Sequence, residues 1–118
     1  MKQLFLFAVC LFCFAVYGKS QQNIPVPDTI KVILENDKLK VTEYVSNPGK
    51  DVCGKGQHTH APHLSILLTD ATVTVTTADG KTQMVDVKAG TAFWSEAETH
   101  IAINSGSKIA RAYLVEVK

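Results

Sequence analysis

The sequence predicts an all-β fold, a single antiparallel barrel or sandwich of about eight short strands. Three observations carry that reading. Runs rich in Val, Ile and Thr recur along the chain, and these residues favour strands. Pairs such as Asn36-Asp37, Asp79-Gly80 and Ala89-Gly90 punctuate the runs and are turn residues. No stretch after residue 20 has the periodicity of an amphipathic helix. The 118 residues suit one domain. With 46% hydrophobic and 19% charged residues the chain is not of disordered composition. A formal net charge of +1 shows no basic excess of the kind that binds nucleic acid.

Much of the apolar content lies before the strands. Lys2 precedes an uninterrupted apolar run from Leu4 to Tyr17, and Gly18 and Ser20 follow it. The run is shorter than the roughly 20 residues of a membrane span, and it has the layout of a secretory signal. Residues 1–20 are therefore expected to be an export signal, placing the mature protein in the periplasm or outside the cell with no stable membrane insertion. Removing them takes away Lys2 and Lys19 and no acid, so 12 basic residues become 10 against 11 acids. Cys10 and Cys13 go as well. Cys53 is left alone, without a partner for an intrachain disulfide, and burial as an inert thiol is its plainer fate.

Residues 21–29, with Pro25 and Pro27, read as an extended arm, and 30–118 as the folded domain. Ile30–Leu34 is the first strand. Leu39–Val45 alternates with period two, and Asn47-Pro48-Gly49 ends it. The glycine-containing loop to Gln57 carries no apolar run. His58–Leu68 is the next strand, bent at Pro62, with Leu64, Ile66 and Leu68 expected inside. Thr72–Thr77 and Gln83–Val87 flank the Asp79-Gly80 turn as a hairpin, with Val73 and Val75 expected inside. Thr91–Ser95 and His100–Asn104 are two further runs, and Ile109–Val117 closes the chain. Exposed sheet edges in so small a barrel point to a homodimer.

The four histidines fall in two places: His58, His60 and His63, and then His100. Positions i and i+2 of a strand face the same side about 7 Å apart, so His58 and His60 can aim at one point. His100 begins another strand and is the natural third ligand of a divalent ion. Imidazole suits Zn, Fe, Ni and Mn, among others. Strict alternation sends His63 to the opposite face from His60, unless a bulge at Pro62 turns it inward. Solvated surface histidines are the alternative reading.

The run Pro48-Gly49 to His58-Thr59-His60, followed by Gly90 and His100-Ile101-Ala102-Ile103-Asn104, resembles the two motifs of the cupins over residues 30–117. The resemblance implies a double-stranded β-helix, the jelly-roll barrel, often dimeric, with a metal inside. His58 and His60 match the first two ligands, His100 the ligand of the second motif, and Gly90 and Asn104 its non-ligand positions. Several motif positions differ. The opening glycine falls at Val52, the acidic ligand at Leu64 or Ser65, and the closing glycine at Ala71 or Thr72. Glu96 and Glu98 replace the proline and glycine of the second motif. Lacking the acid, the resemblance implies a three-histidine site with His63 as a candidate fourth ligand.

Other residues are weighed beside these. Glu96 and Glu98 could serve as acid, base or ligand, or form a solvated turn. Phe93 and Trp94 are expected to pack the core. Tyr44 and Tyr113 could line the interior, or pack with hydroxyls in solvent. Arg111 faces a bound carboxylate if inward and an ion pair if outward. Cys53 sits in a loop, where nothing in the sequence fixes its approach to a metal. Phosphate-binding loops, nucleophile elbows and Cys-x-x-Cys pairs are missing from the sequence. Two functions remain: a metal-dependent dioxygenase, lyase or isomerase acting on a small acid, or a non-catalytic metal- or small-ligand-binding protein of the cell envelope.

Overall fold

The computed structural model describes residues 26–118. The expected export segment and the first half of the arm lie outside the described residues. Nine strands form: β1 (Thr29–Glu35), β2 (Leu39–Ser46), β3 (His58–His60), β4 (His63–Leu67), β5 (Ala71–Thr77), β6 (Thr82–Val87), β7 (Ala92–Ser95), β8 (Glu98–Asn104) and β9 (Ala110–Val117). They make two antiparallel sheets, ordered β1-β2-β9-β4-β7 and β3-β8-β5-β6. Among the described residues there is no helix, and so none that could cross a membrane.

Most elements follow their local sequence. The β1–β2 turn closes because Asn36 Oδ1 accepts from the backbone N–H groups of Lys38 and Leu39 at 2.8 and 3.0 Å. Gly80 and Gly90 adopt φ of +85° and +82° in their turns, a region that glycine enters without a Cβ clash. The β5–β6 hairpin pairs Val73 with Val85 and Val75 with Gln83.

The segment 58–68 departs from expectation. It is two strands in different sheets, since β3 pairs with β8 while β4 pairs with β7 and β9. Pro62 has no N–H to give to a ladder and restricts Ala61 before it, so the chain turns a corner there. The corner reverses the expected parity. His63, Ser65 and Leu67 are buried, at 3%, 7% and 6% exposure, and they form the interior row. Leu64 and Ile66 lie on the outer face and Leu68 is exposed, so the expectation that these three fill the interior is corrected.

Between the sheets lie Leu67, Ala102, Ala112 and Leu114, all buried. Two of these four are alanines, and so small a side chain on each facing sheet leaves space at the centre. Asn104 is fully buried. Its Nδ2 donates to the carbonyls of Ser46 and Lys108 at 3.0 and 2.9 Å, and its Oδ1 accepts from Gly106 N–H at 3.0 Å. One side chain thus ties the end of β8 to β2 and to the turn before β9.

Candidate metal centre

Strand β8 assembles the site. His100 on β8 stands directly opposite His58 on β3 in the antiparallel register, and the ring centroids are 4.8 Å apart. His60, two residues along β3, brings its ring centroid to 4.6 Å from His58 and 5.5 Å from His100. The loop before β3 also pairs with β8. Gly49 N–H donates to Asn104 O at 2.7 Å, Val52 N–H to Ala102 O at 2.9 Å, and Asp51 bridges Ile103. Running as a short extra strand, this stretch delivers Cys53 beside His100.

The result is a four-residue group. One ligand atom from each of Cys53, His58, His60 and His100 lies within 4.8 Å of all the others. Cys53 Sγ is 3.3 Å from His58 Nε2 and 3.3 Å from His100 Nε2. On His58, Nδ1–H donates to the Gly56 carbonyl at 2.8 Å, so the neutral ring turns the lone pair of Nε2 toward the thiol. On His100, Nδ1 lies 3.4 Å from Glu98 Oε1 but is buried without a hydrogen-bond partner among the described residues. An imidazole anchored on one nitrogen by a carbonyl, as His58 is, is oriented for coordination by the other.

The electrostatics agree with a site built for a cation. Burial lowers the His60 imidazole to about 4, helped by neighbouring histidines, and burial also lowers His100. Both rings are therefore neutral and able to coordinate at ordinary pH. Cys53 runs the other way: burial pushes its thiol up to about 12, with Glu98 and Asp51 adding to it, so it is a protonated thiol without an ion and would have to release that proton to bind one. His60 Nε2 is buried without a hydrogen-bond partner among the described residues. Such an orphan costs about 1–3 kcal/mol, and an ion would remove that cost.

Gly54 fits the same picture. A Cβ at that position would lie 2.7 Å from the His58 ring, so a residue without a side chain is required where the loop passes the imidazole. Gly56, at φ +60°, turns the chain back into β3.

The remaining candidates are distributed as follows. His63 is buried on β4, its ring centroid 5.0 Å from His60. It lies outside the four-residue group, with Nδ1–H donating to Ala61 O at 2.8 Å. Glu98 borders the site, whereas Glu96 accepts from Trp94 Nε1 at 3.0 Å. Phe93 and Trp94 are 43% and 51% exposed, contrary to the core packing expected of them, because β7 is an edge strand. Tyr44 is buried, and burial pushes its phenol up to about 12. Tyr113 falls on the outer face. Arg111 points outward and pairs with Glu43.

Cys53 is the member that sequence reasoning left out. A loop position offered no facing direction, and the signal available was indirect: Gly54 and Gly56 between a thiol and a His-x-His strand.

A cavity of about 240 Å³ lies between the sheets next to this group. Cys53, His63, Glu98 and His100 border it at one end, and Val73, Val75, Val85, Val87, Phe93 and Leu114 form much of its remaining wall.

No protein-family model and no curated protein matches the chain. Solved structures do. A cupin domain from Bordetella pertussis Tohama I superposes with a TM-score of 0.69 at 22% identity, covering 77% of this chain and 93% of that one. An RmlC-like cupin family protein with a double-stranded β-helix fold, from Methanocaldococcus jannaschii, gives 0.63 at 13% identity, covering 81% and 84%. The polyketide cyclase RemF from Streptomyces resistomycificus gives 0.55 at 18% identity, covering 75% and 63%. The fold is that of the cupins, the jelly-roll double-stranded β-helix.

Proposed function

We propose that this chain is an exported metal-binding protein in which Cys53, His58, His60 and His100 hold one divalent transition ion at the polar end of an internal cavity, where it acts on a small molecule. The observation that carries this is the convergence of the Nε2 atoms of His58 and His100 on one thiol, beside the orphaned Nε2 of His60. Three imidazoles and a thiolate form a borderline-soft donor set, suited to Zn, Ni or Fe(II) more than to Mg or Ca. The thiolate takes the part of the acid missing from the cupin motif. It contributes the negative charge that three neutral imidazoles lack.

Bound there, such an ion would supply Lewis acidity toward a ligand in the cavity. The chain's own residues do the rest. Gly56 O fixes the His58 ring, and Glu98, bordering both His100 and the cavity, is placed to accept a proton. His63 presents a second basic nitrogen at the same end. The polyketide cyclase among the structural neighbours is an enzyme on this fold, which supports the catalytic form of the reading as an analogy.

A second reading rests on the donor count: four protein ligands can saturate a tetrahedral ion and leave a closed, non-catalytic site. Elemental analysis and native mass spectrometry of untagged protein from the exported fraction test the common claim, with one ion per chain expected. Cobalt substitution then separates the two readings. An absorption spectrum that shifts on adding azide indicates an open position, and an inert one indicates the closed site.

We also propose a homodimer paired through β1. All seven residues of this edge strand are exposed, including Ile30, Val32, Ile33 and Leu34 at 41–63%. A second copy of the chain is the partner that the unpaired edge and its apolar side chains suit.

A further inference from the structure

The wall of the central cavity is buried unevenly, and the gradient shows where the cavity opens. Wall residues from β4, β8 and β9 are sealed, with Leu67, Ala102, Ala112 and Leu114 at 3–6% exposure. Those from β5 and β6, such as Val75 and Val85, are half-buried. Phe93 of β7 lines the same cavity and is 43% exposed. An apolar side chain that belongs to an interior wall and is also wet stands at an opening.

The topology explains why the opening lies there. β7 ends one sheet and β6 ends the other. Among the described residues β6 pairs with β5 alone and β7 with β4 alone, so no ladder closes the gap between them. The chain crosses that gap once, in the turn at 88–91. Gly90 N–H donates to Leu67 O at 2.7 Å and Ala89 N–H to Asp70 Oδ1 at 2.9 Å, which pins the turn. Phe93 lies just beyond the pinned end. Its cross-strand neighbour on β4 is Ser65, a small residue, and no strand among the described residues flanks its other side. A ring with so little against it can change rotamer in nanoseconds or faster, as exposed side chains do.

The order β3-β8-β5-β6 puts the metal ligands on one side of the second sheet and this gap on the other. From β8 to β6 is two strand spacings, roughly 10 Å, and Val73, Val75 and Val85 line that span. A molecule entering at the gap meets apolar wall before it meets His100.

We propose that the cavity opens to solvent between β6 and β7, and that Phe93 is its size filter, the residue that determines how bulky a molecule passes inward. As the route to a metal centre the opening rests on the reading above; as an opening it stands on burial and topology alone.

The experiment reads passage with a thiol placed inside, so it needs no metal. In the mature protein Cys53→Ser is combined with Ala112→Cys, which puts one sulfur on the sealed wall. The probes are methyl methanethiosulfonate and its bulkier benzyl counterpart, both neutral, and peptide mass mapping assigns the label to position 112. Each rate is divided by that of the same protein unfolded in urea. The benzyl reagent is expected to be slower by at least about tenfold, the scale on which an apolar site rejects extra methylene groups. Phe93→Ala should close that difference by speeding the benzyl reagent, and Phe93→Trp should widen it. Trp94→Ala, next along β7 but on the outer face opposite Leu64, should leave it unchanged. Circular dichroism checks each fold, and Phe93→Leu replaces Phe93→Ala should the latter not fold, with a smaller effect in the same direction. A difference that persists in the folded Phe93 variant, or that closes equally in Trp94→Ala, would overturn the proposal. So would equal acceleration of both reagents in step with a lowered urea midpoint, which is labelling through unfolding. Metal content is measured separately on protein with Cys53 in place. Metal-free protein whose rates still depend on Phe93 defeats the metal centre and leaves the entrance standing. Metal-loaded protein whose rates ignore Phe93 does the reverse.

Discussion

Strands β8 and β1 are both seven residues long and rich in apolar residues, and they come to opposite ends. β8 is paired on both edges, to β3 and β5, and the short stretch before Cys53 docks on it as well. Its residues alternate, with His100, Ala102 and Asn104 buried. Among the described residues β1 is paired on one edge only, to β2, and is exposed along its whole length. The difference teaches that strand propensity makes a strand, whereas burial depends on partners. β8 has its partners in the chain and therefore carries the site. β1 lacks a second partner among the described residues, which is why we propose it as the interface.

The largest effect should come from cutting β8 loose. Asn104→Ala removes three hydrogen bonds, one buried and two part-buried, to the Ser46 and Lys108 carbonyls and the Gly106 N–H. A loss of about 2–4 kcal/mol in stability is expected by urea denaturation. An unchanged midpoint would mean that β8 is not the organising strand.

Next come the ligands that β8 gathers. His60→Ala or His100→Ala should each lower metal affinity by more than about 100-fold, exceeding the usual effect of losing an outer supporting group. Gly54→Ala should lower it by about 10–100-fold, because the new methyl displaces the His58 ring without removing a donor. Competition titration with a chelator of known affinity checks all three. Retained affinity in Gly54→Ala would show that the loop can move aside.

The pH dependence sharpens the same side of the comparison. The unfolded imidazole of His60 takes up a proton below about 6.5, but the buried ring does so only near 4. The stability of the metal-free protein is therefore fully present above about pH 6.5. It falls as pH drops toward 4 and levels off below. His100, lowered by burial, adds in the same direction. Urea midpoints at pH 7, 5.5 and 4.5 should decline in that order, and a flat series would contradict the neutral buried rings.

Much of the fold was legible because strands here are written locally, in β-branched runs between turn residues. The corner at Pro62 was not legible in full. A proline announces a break but not whether the chain changes sheet, and the parity of Leu64, Ile66 and Leu68 hinges on that. His58, His60 and His100 could be grouped from spacing along strands, where facing direction is periodic. Cys53 could not, since its placement comes from backbone bonds between a loop and β8. Phe93 and Trp94 misled because aromatic residues on an edge strand look, in sequence, like those of a central one.

The smallest effect on the folded chain is expected at β1. If the proposed dimer pairs through β1, Ile30→Lys with Val32→Lys should convert it to monomer by light scattering. Because both side chains already face solvent, stability within the monomer should change by no more than about 0.5 kcal/mol. Metal affinity should not move. Were the double variant to unfold instead, β1 would belong with β8 among the structural strands.

The central claim is that β8 gathers a mixed thiolate and imidazole centre. X-ray absorption at the edge of the bound metal tests it most directly. For zinc, the expected shell is one sulfur at about 2.3 Å and three nitrogens at about 2.0–2.1 Å, with the sulfur lost in Cys53→Ser. A wild-type shell of nitrogen and oxygen alone would contradict it.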